Sequence, residues 1–317
     1  MNITVLAGGV GAARFLRGLL AAVPATSVKV IVNTGDDTEL HGLSISPDLD
    51  TVTYTLAEAI DPERGWGLAG ETWHAMEALQ RYVDVKPIES SAAPIWFGLG
   101  DRDLATHFYR TARLAEGATL TQVTAEIARA WGLGCDLLPM TDDRFRTVVT
   151  LADSGERASF QDYFVRLRHD VAVSAVSFEH SGAQVTQSAR AAITDADVII
   201  VAPSNPLVSI GPIRALPGVD QLLADRRRGI VAVSPIVGGA ALKGPADRML
   251  RELGMEPSVV GVAELYAPVA DVLIVDTVDA HLAAEVEAAG MRCVVAPSIM
   301  SDIDRARALA EACLASV

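Results

Sequence analysis

Three segments within the first 51 residues have the residue types and spacing to do chemistry. Ala7-Gly-Gly-Val-Gly11 closes the first apolar run, and Asn33-Thr-Gly-Asp-Asp37 and Ser46-Pro-Asp-Leu-Asp-Thr51 follow it. A glycine turn that ends a strand and opens a helix offers backbone N–H groups to phosphate, helped by the helix dipole. Clustered carboxylates offer hard oxygen ligands to a divalent cation. Together they describe a place where a phosphorylated nucleotide meets a metal, which points to phosphoryl chemistry rather than hydride transfer. One acidic residue at a helix start already gains about 0.3–1 kcal/mol from the dipole. Asp36, Asp37, Asp48 and Asp50 put four carboxylates into fifteen residues, more than that role requires.

The turn is neither of the two familiar nucleotide loops. Read as G-x-G-x-x-G from Gly9, its last glycine is Arg14, and no Gly-Lys-Ser/Thr follows. Glycines in such a turn also serve a tight strand-to-helix connection on steric grounds alone. Two further apolar runs end alike. Val198–Ala202 leads into Pro203-Ser-Asn-Pro-Leu-Val-Ser-Ile-Gly211, and Ile230–Val233 into Ser234-Pro-Ile-Val-Gly-Gly239. Taken singly, each reads as helix capping by Ser or Asn with Pro as helix starter. In an open parallel sheet, however, the carboxyl ends of the strands share one edge, where ligands bind. Gly8, Gly9 and Gly11 would meet Ser204, Asn205, Ser209 and Ser234 there.

Other polar groups are less telling. Asp101-Arg-Asp103 reads equally as an anchored loop or a site, and Asp142-Asp143 as a turn. The six histidines form no HExxH and no evident triad, and His74 and His107 fall in helical patterns as structural residues. No serine occupies a G-x-S-x-G elbow.

The elements that must position these residues are readable from periodicity. Ile3–Ala7 and Val28–Val32 read as strands, with a helix over Ala12–Val23 between them. The pattern returns in 197–202, 229–233, 271–275 and 292–297, separated by helices over Pro245–Leu253, Ala280–Ala289 and Ile303–Leu314. Short β-branched runs alternating with helices imply βαβ units and a parallel sheet. The middle differs. Asp48–Ala59, Glu71–Tyr82, Asp103–Glu116 and Thr121–Trp131 read as successive helices, and Arg146–Leu151 and Phe160–Arg168 as short strands. Val85–Pro94 is a loop. The expected architecture is α/β: a Rossmann-like, mostly parallel sheet from residues 1–50 and 170–317, with a smaller, mostly helical insertion over 51–169 that carries a small sheet and the acceptor side.

Composition sets outer limits. The 317 residues are 50% apolar but only 5% aromatic, so the core must be aliphatic, as suits a buried parallel sheet. With 26 basic and 40 acidic residues, the net charge of −14 argues against nucleic acid or an anionic membrane as a partner. A phosphorylated substrate then needs a cation, helix N-termini and local arginines to draw it in. Cys135, Cys293 and Cys313 have neither metal-site nor redox spacing. No apolar run reaches the ~18 residues of a membrane span, and no signal segment is evident. A soluble cytoplasmic protein is expected.

At this point the ordered motifs resemble a known family. Val5-Leu-Ala-Gly-Gly-Val-Gly11, Val32-Asn-Thr-Gly-Asp-Asp37, Ser46-Pro-Asp-Leu-Asp-Thr51, Trp66-Gly67, Leu99-Gly-Asp-Arg-Asp-Leu-Ala-Thr-His107, Leu138-Pro-Met-Thr-Asp-Asp143, Ser204-Asn-Pro-Leu-Val-Ser-Ile-Gly-Pro212, Ser234-Pro-Ile-Val-Gly238 and Gly244-Pro-Ala246 recur in that order. They are similar to the 2-phospho-L-lactate transferases of deazaflavin coenzyme F-420 biosynthesis. Asp61-Pro-Glu-Arg-Gly-Trp-Gly67 and Glu71-Thr-Trp-His-Ala75 look closest to the actinobacterial, phosphoenolpyruvate-using branch.

The resemblance implies a magnesium-dependent enzyme, commonly a homodimer. It would move a phospholactyl or phosphoenolpyruvyl unit from a guanosine diphosphate ester to the ribityl hydroxyl of the deazaflavin Fo, releasing GMP. On that reading Gly8, Gly9 and Gly11 face the diphosphate, and Ser204, Asn205, Ser209 and Ser234 hold the nucleotide. Asp50, with Asp37 as second carboxylate, holds Mg²⁺ or orients the Fo hydroxyl. Arg102 neutralises phosphate, and Trp66, Trp73 and Trp96 are candidates for the apolar slot around Fo. Archaeal relatives carry a lysine where this chain has Gly98. Two rivals are an NAD-dependent dehydrogenase and a nucleotide-sugar-binding regulatory protein of related fold. The Pro47-Asp-Leu-Asp50 and Leu99-Gly-Asp-Arg-Asp103 strings favour the transferase over both.

Overall fold

A computed structural model describes residues 1–317. Seven short strands form its central sheet: β1 (Ile3–Ala7), β2 (Val28–Val32), β3 (Asp136–Pro139), β4 (Val198–Val201), β5 (Ile230–Val233), β6 (Val272–Val275) and β7 (Arg292–Val295). The spatial order is β7-β6-β5-β4-β1-β2-β3, and every pairing is parallel. The chain therefore winds outward from β1 in one direction, then returns to β4 and winds the other way. That reversal opens a crevice beyond the carboxyl ends of β1 and β4.

Alternate residues of each strand face opposite sides, so one sheet organises two cores. Val5, Val30 and Ile200 pack with Phe15, Leu16 and Leu19 of helix α1 (Val10–Ala22) and with Leu309 and Cys313 of the last helix, Ile303–Ala315. Leu6, Ile31 and Ile199 pack on the other face with Ile193, Ile213 and Leu250. This is a three-layer α/β arrangement, as the apolar runs predict.

The insertion starts with α2 (Pro47–Leu56), whose Leu49 and Val52 still belong to the α1 side of the main core. It continues through α3 (His74–Val83), α4 (Asp103–Ala115) and α5 (Leu120–Ala130), the last opened by a Thr119–Gln122 capping box. A separate three-stranded antiparallel sheet then places Phe145–Leu151 between Arg157–Ser159 and Val173–His180.

Three expectations change. The expected insertion, 51–169, encloses β3, which instead pairs with β2 as an edge of the main sheet. An edge strand needs no continuous apolar run, and Asp136 and Pro139 are residues that edges tolerate. The small sheet also runs past residue 170, to His180. Finally, Phe160–Arg168 is not a strand: Asp162–Arg166 forms a helical turn. Phe160 and Phe164 stack at 5.5 Å with Tyr163 buried beside them, which is a helical i, i+3, i+4 spacing. No helix is long and apolar enough to cross a membrane.

Candidate active site

The glycine turn after β1 and the loop after β4 meet at the crevice. A Cβ on Gly8 would lie 2.5 Å from Ser209 Cβ, one on Gly9 2.6 Å from Asp48 Oδ1, and one on Gly11 2.3 Å from the Pro203 carbonyl oxygen. Glycine is required at these positions because neighbouring segments press against the backbone. The Gly8 N–H donates to Ser204 Oγ at 3.3 Å. The structure thus gathers Gly8, Gly9, Gly11, Ser204 and Ser209, with Asp48 added.

The other two predicted polar residues serve their own turns. Asn205 Oδ1 accepts the Leu207 N–H at 2.9 Å, and its Nδ2 donates to Met249 Sδ at 3.7 Å. Ser234 is buried one strand further along, where its hydroxyl donates to the Ile236 carbonyl at 3.0 Å and accepts the Ile236 N–H at 3.1 Å.

Beside the glycine turn lies a group of carboxylates with little to balance them. Asn33 Nδ2 donates to Asp48 Oδ2 at 2.9 Å while its Oδ1 accepts the Gly35 N–H at 2.8 Å. Ser46 Oγ donates to Asp37 Oδ2 at 2.7 Å. Asp36 Oδ1 and Asp37 Oδ1 are buried without any partner. Burial raises the Asp36 carboxyl well above its ordinary range, and repulsion from Asp48 and Asp37 adds to this. Burial likewise raises Asp37 well above that range, against the Ser46 hydrogen bond and the charge of Arg110. Asp48 is pushed up to about 6 by burial, opposed by Asn33. Orphaned oxygens and raised carboxyl pKa values together fit a divalent cation, which would partner the oxygens and favour the ionised carboxylates.

Asp50, two residues along, is differently placed. Arg110, only 2% exposed, holds it in a fork: Nη1 donates to Asp50 Oδ2 at 3.1 Å and Nη2 to Oδ1. His107 Nδ1 lies 3.3 Å from Arg110 Nη1 and 3.8 Å from Asp50 Oδ2, while Nε2 lies 3.3 Å from Asp103 Oδ2. Tyr54 donates its hydroxyl to Asp103 Oδ1 at 2.5 Å. Burial works against ionisation of Asp103, but His107, Tyr54 and Arg110 hold its carboxyl below the ordinary range. Helical spacing builds this network, with Asp50 and Tyr54 on one face of α2 and Asp103, His107 and Arg110 on one face of α4.

Ligand atoms of Asp50, Asp103 and His107 lie within 4.8 Å of one another, so this trio has the geometry of a possible metal site. A guanidinium already occupies both Asp50 oxygens, however, and balances its charge. The reading of His107 as structural missed this cluster. Polar residues at 103, 107 and 110 occupy what should be the apolar stripe of α4, and that pattern was available in the sequence.

The aromatic candidates separate. Trp66 and Trp73 meet edge to face with ring centres 6.1 Å apart, and the Arg64 guanidinium lies 5.5 and 5.3 Å from the two rings. A Cβ on Gly98 would stand 3.3 Å from each indole, so the pair closes tightly over the backbone at that glycine. Trp66 is 44% exposed, a face open to a ligand. Trp96 instead contacts Phe97 at 5.8 Å and packs on the small core of Leu40, Ile45 and Leu99. Arg102 is exposed and donates to the Ala69 carbonyl, with its backbone N–H on Glu71 at 2.7 Å. Asp101 accepts the His74 and Ala75 N–H groups at the start of α3.

A groove of about 520 Å³ lies elsewhere: it is lined mainly by apolar residues such as Phe178, Pro206, Leu207 and Met255. Its one carboxylate, Asp220, is paired with Arg214 at 2.8 Å, so the groove offers no group for catalysis.

Fold and site thus define an α/β protein with a phosphate-type glycine turn facing acidic residues. The family model described as 2-phospho-L-lactate transferase CofD matches residues 3–310, and the chain belongs to that family. It is 46% identical to the phosphoenolpyruvate transferase of Kitasatospora aureofaciens, over 99% of this chain and 97% of that protein. It is also 46% identical to the phosphoenolpyruvate transferase of Streptomyces coelicolor, with the same coverage. Among solved structures, a UPF0052-family protein from Bacillus halodurans superposes with a TM-score of 0.63 at 16% identity, covering 99% of this chain and 98% of that one. That likeness establishes the shared fold. The family and the named relatives make this chain a transferase.

Proposed function

We propose that this transferase joins the phosphoenolpyruvyl or phospholactyl unit of a guanosine diphosphate ester to the ribityl hydroxyl of the deazaflavin Fo, releasing GMP, in coenzyme F-420 biosynthesis. The observation that carries the reading is the set of uncompensated carboxylates, Asp36, Asp37 and Asp48, beside a phosphate-type turn at the switch point of the sheet. Relatives named for phosphoenolpyruvate favour the enolpyruvyl donor.

In the reaction the ribityl oxygen bonds to the phosphorus that bears the acid. The bridging bond to GMP breaks, and the hydroxyl proton is lost. Such transfers depend mainly on positioning and electrostatics. The N–H groups of Gly8, Gly9 and Gly11 would cradle the diphosphate, with Ser204 and Ser209 at its flank. Asp48, Asp36 and Asp37 would hold Mg²⁺, which when bound neutralises charge on the diphosphate oxygens. Asp50, locked by Arg110, keeps lone pairs with which to accept and orient the ribityl hydroxyl. Trp66 and Trp73 offer a flat apolar wall to the deazaflavin ring.

Mass spectrometry of the product made from Fo with each donor tests the reading. The expected product is the phosphodiester of Fo with one acid, plus GMP. A thermal-shift panel adds a check without turnover, because ligands that bind the native state stabilise it by mass action. GDP with Mg²⁺ and Fo should each raise the midpoint. Preferential stabilisation by NAD or a UDP-sugar would overturn the proposal in favour of a dehydrogenase or a nucleotide-sugar sensor.

A further inference from the structure

Helices α3 and α4 begin without a cap of their own. Trp73 and Arg102 stand at the two cap positions, and neither supplies a side-chain cap. The α5 helix and the last helix, by contrast, are capped by their own Thr119 and Asp302. The first-turn N–H groups of α3 and α4 still need acceptors. Each helix takes them from the approach to the other. Asp101, just before α4, accepts the His74 and Ala75 N–H groups at 3.0 and 3.1 Å and the Thr72 hydroxyl at 2.5 Å. Glu71, just before α3, accepts the Arg102 and Asp103 N–H groups at 2.7 and 2.9 Å. Between them the Asp101 N–H donates to the Thr72 carbonyl at 2.9 Å. A Cβ on Gly100 would collide with the Glu71 carboxyl, so only glycine there lets that side chain reach α4.

Packing alone does not fix α3. None of its residues is fully buried, and a cavity of about 200 Å³ separates Met76 and Leu79 of α3 from Leu104 and Phe108 of α4. The crossed caps therefore set where α3 sits, and with it Trp73, which meets Trp66 edge to face. On the other side, Asp103 belongs to two structures at once. Its N–H is held by Glu71, while its carboxylate accepts the Tyr54 hydroxyl and lies 3.3 Å from His107. His107 leads on to Arg110, and Arg110 grips Asp50. An unbroken set of polar contacts thus runs from the indole wall to Asp50.

We infer that Glu71 and Asp101 are positioning residues that fasten α3 to α4, so that the aromatic ring and the reacting hydroxyl of the acceptor are held by one rigid unit. The inference rests on the acceptor proposed above, an aromatic ring carrying a hydroxylated chain. Such a substrate reacts only when both ends are placed together, and fixing Trp73 relative to Asp50 does that placing. Hydrogen bonds to ionised carboxylates are stronger than neutral ones, which suits them to join two helix starts at the protein surface. The Leu99-Gly-Asp-Arg-Asp103 string then has a reason for its spacing: Gly100 admits Glu71, Asp101 caps α3, and Asp103 enters the Asp50 network.

The test uses Asp101→Ala and Glu71→Ala in the full chain, with Asp101→Asn and Glu71→Gln as variants that keep one acceptor oxygen. Each alanine variant should raise KM for Fo at least fivefold while the Kd for GDP with Mg²⁺ stays within twofold, and each amide variant should recover to within threefold of the wild type. In a chain already carrying Trp73→Ala, Asp101→Ala should add less than twofold, because it acts through that indole. An unchanged KM for Fo, an equal weakening of GDP, or fully additive effects with Trp73→Ala would each overturn the positioning role. A second arm needs no acceptor. Amide hydrogen exchange in Asp101→Ala should quicken in α3 and at the start of α4 together, with the central strands protected as in the wild type. Faster exchange confined to α3 would show two independent helix starts and contradict the inference. If the wild type neither binds nor modifies Fo but both helix starts loosen together, the acceptor reading fails while the fastening of α3 to α4 stands.

Discussion

Two acidic groups lie within a few residues of each other on the same loop and helix, and they have opposite electrostatics. Asp50 is buried against Arg110, with His107, Asp103 and Tyr54 completing a network in which both carboxylates have close partners, although Arg110 Nε and His107 Nε2 lack hydrogen bonds. Asp48 and Asp37 take hydrogen bonds from Asn33 and Ser46, two oxygens of the group are orphaned, and burial raises the pKa of Asp36, Asp37 and Asp48 alike. The first group is built to hold a shape and ties the insertion to the sheet. The second is unfinished without a positive charge. A buried pair is strongly destabilised by losing one member, whereas an unbalanced cluster gains stability when one charge is removed.

This contrast sets the order of expected effects. Arg110→Met should cost about 3–5 kcal/mol by stranding Asp50, read as a lowered denaturation midpoint. Adding Asp50→Asn should recover much of that loss, a coupling that a double-mutant cycle measures directly. Asp50→Ala alone should destabilise as well as inactivate, since it leaves Arg110 buried and unpaired.

Asp48→Asn should behave in the opposite way. Without divalent cations its Tm at neutral pH should rise, while Mg²⁺-dependent transfer falls about a hundredfold or more, the scale typical of removing a group that stabilises transition-state charge. A fall in Tm with activity kept would reverse the assignment of the two groups.

The pH dependence follows from the same carboxyl. The native state raises Asp48 from 3.8 to about 6, so it binds the proton more tightly than the unfolded chain does. Without a cation, its contribution to stability is therefore greatest at low pH and falls as pH rises through that window. The cation competes with that proton, so the Tm gain from Mg²⁺ should grow over the same range. Melting curves across pH with and without Mg²⁺ should diverge above about 6. The smallest effect is expected for Trp66→Ala. Losing one aromatic contact of about 0.5–1.5 kcal/mol should raise KM for Fo by about two- to twelvefold and leave the donor's KM unchanged.

How much of this the sequence reveals depends on how each element is buried. Strands buried on both faces, such as Val198–Val201 and Val272–Val275, are unbroken β-branched runs and can be read directly. Asp136–Pro139 cannot, because only two apolar residues stand between its Asp136 and Pro139, too short a run to show against the flanking sequence. Val173–His180 escapes for a related reason: only Val173 is fully buried, so its small and polar residues show little contrast. The glycine turn and the four aspartates are visible as motifs. Their division into a balanced and an unbalanced group is not, because the deciding partner, Arg110, lies 60 residues from Asp50 and meets it only through the packing of α4 on α2. Trp96 shows the same limit, since spacing cannot tell a tryptophan that packs a small core from one that faces a ligand.

The most direct measurement is the anomalous signal of Mn²⁺ in crystals grown with GDP. The account predicts a single strong peak bridging the diphosphate and the carboxylates of Asp48 and Asp36 or Asp37, with the Asp50–Arg110 fork intact. A peak among Asp50, Asp103 and His107, with Arg110 displaced, would contradict it.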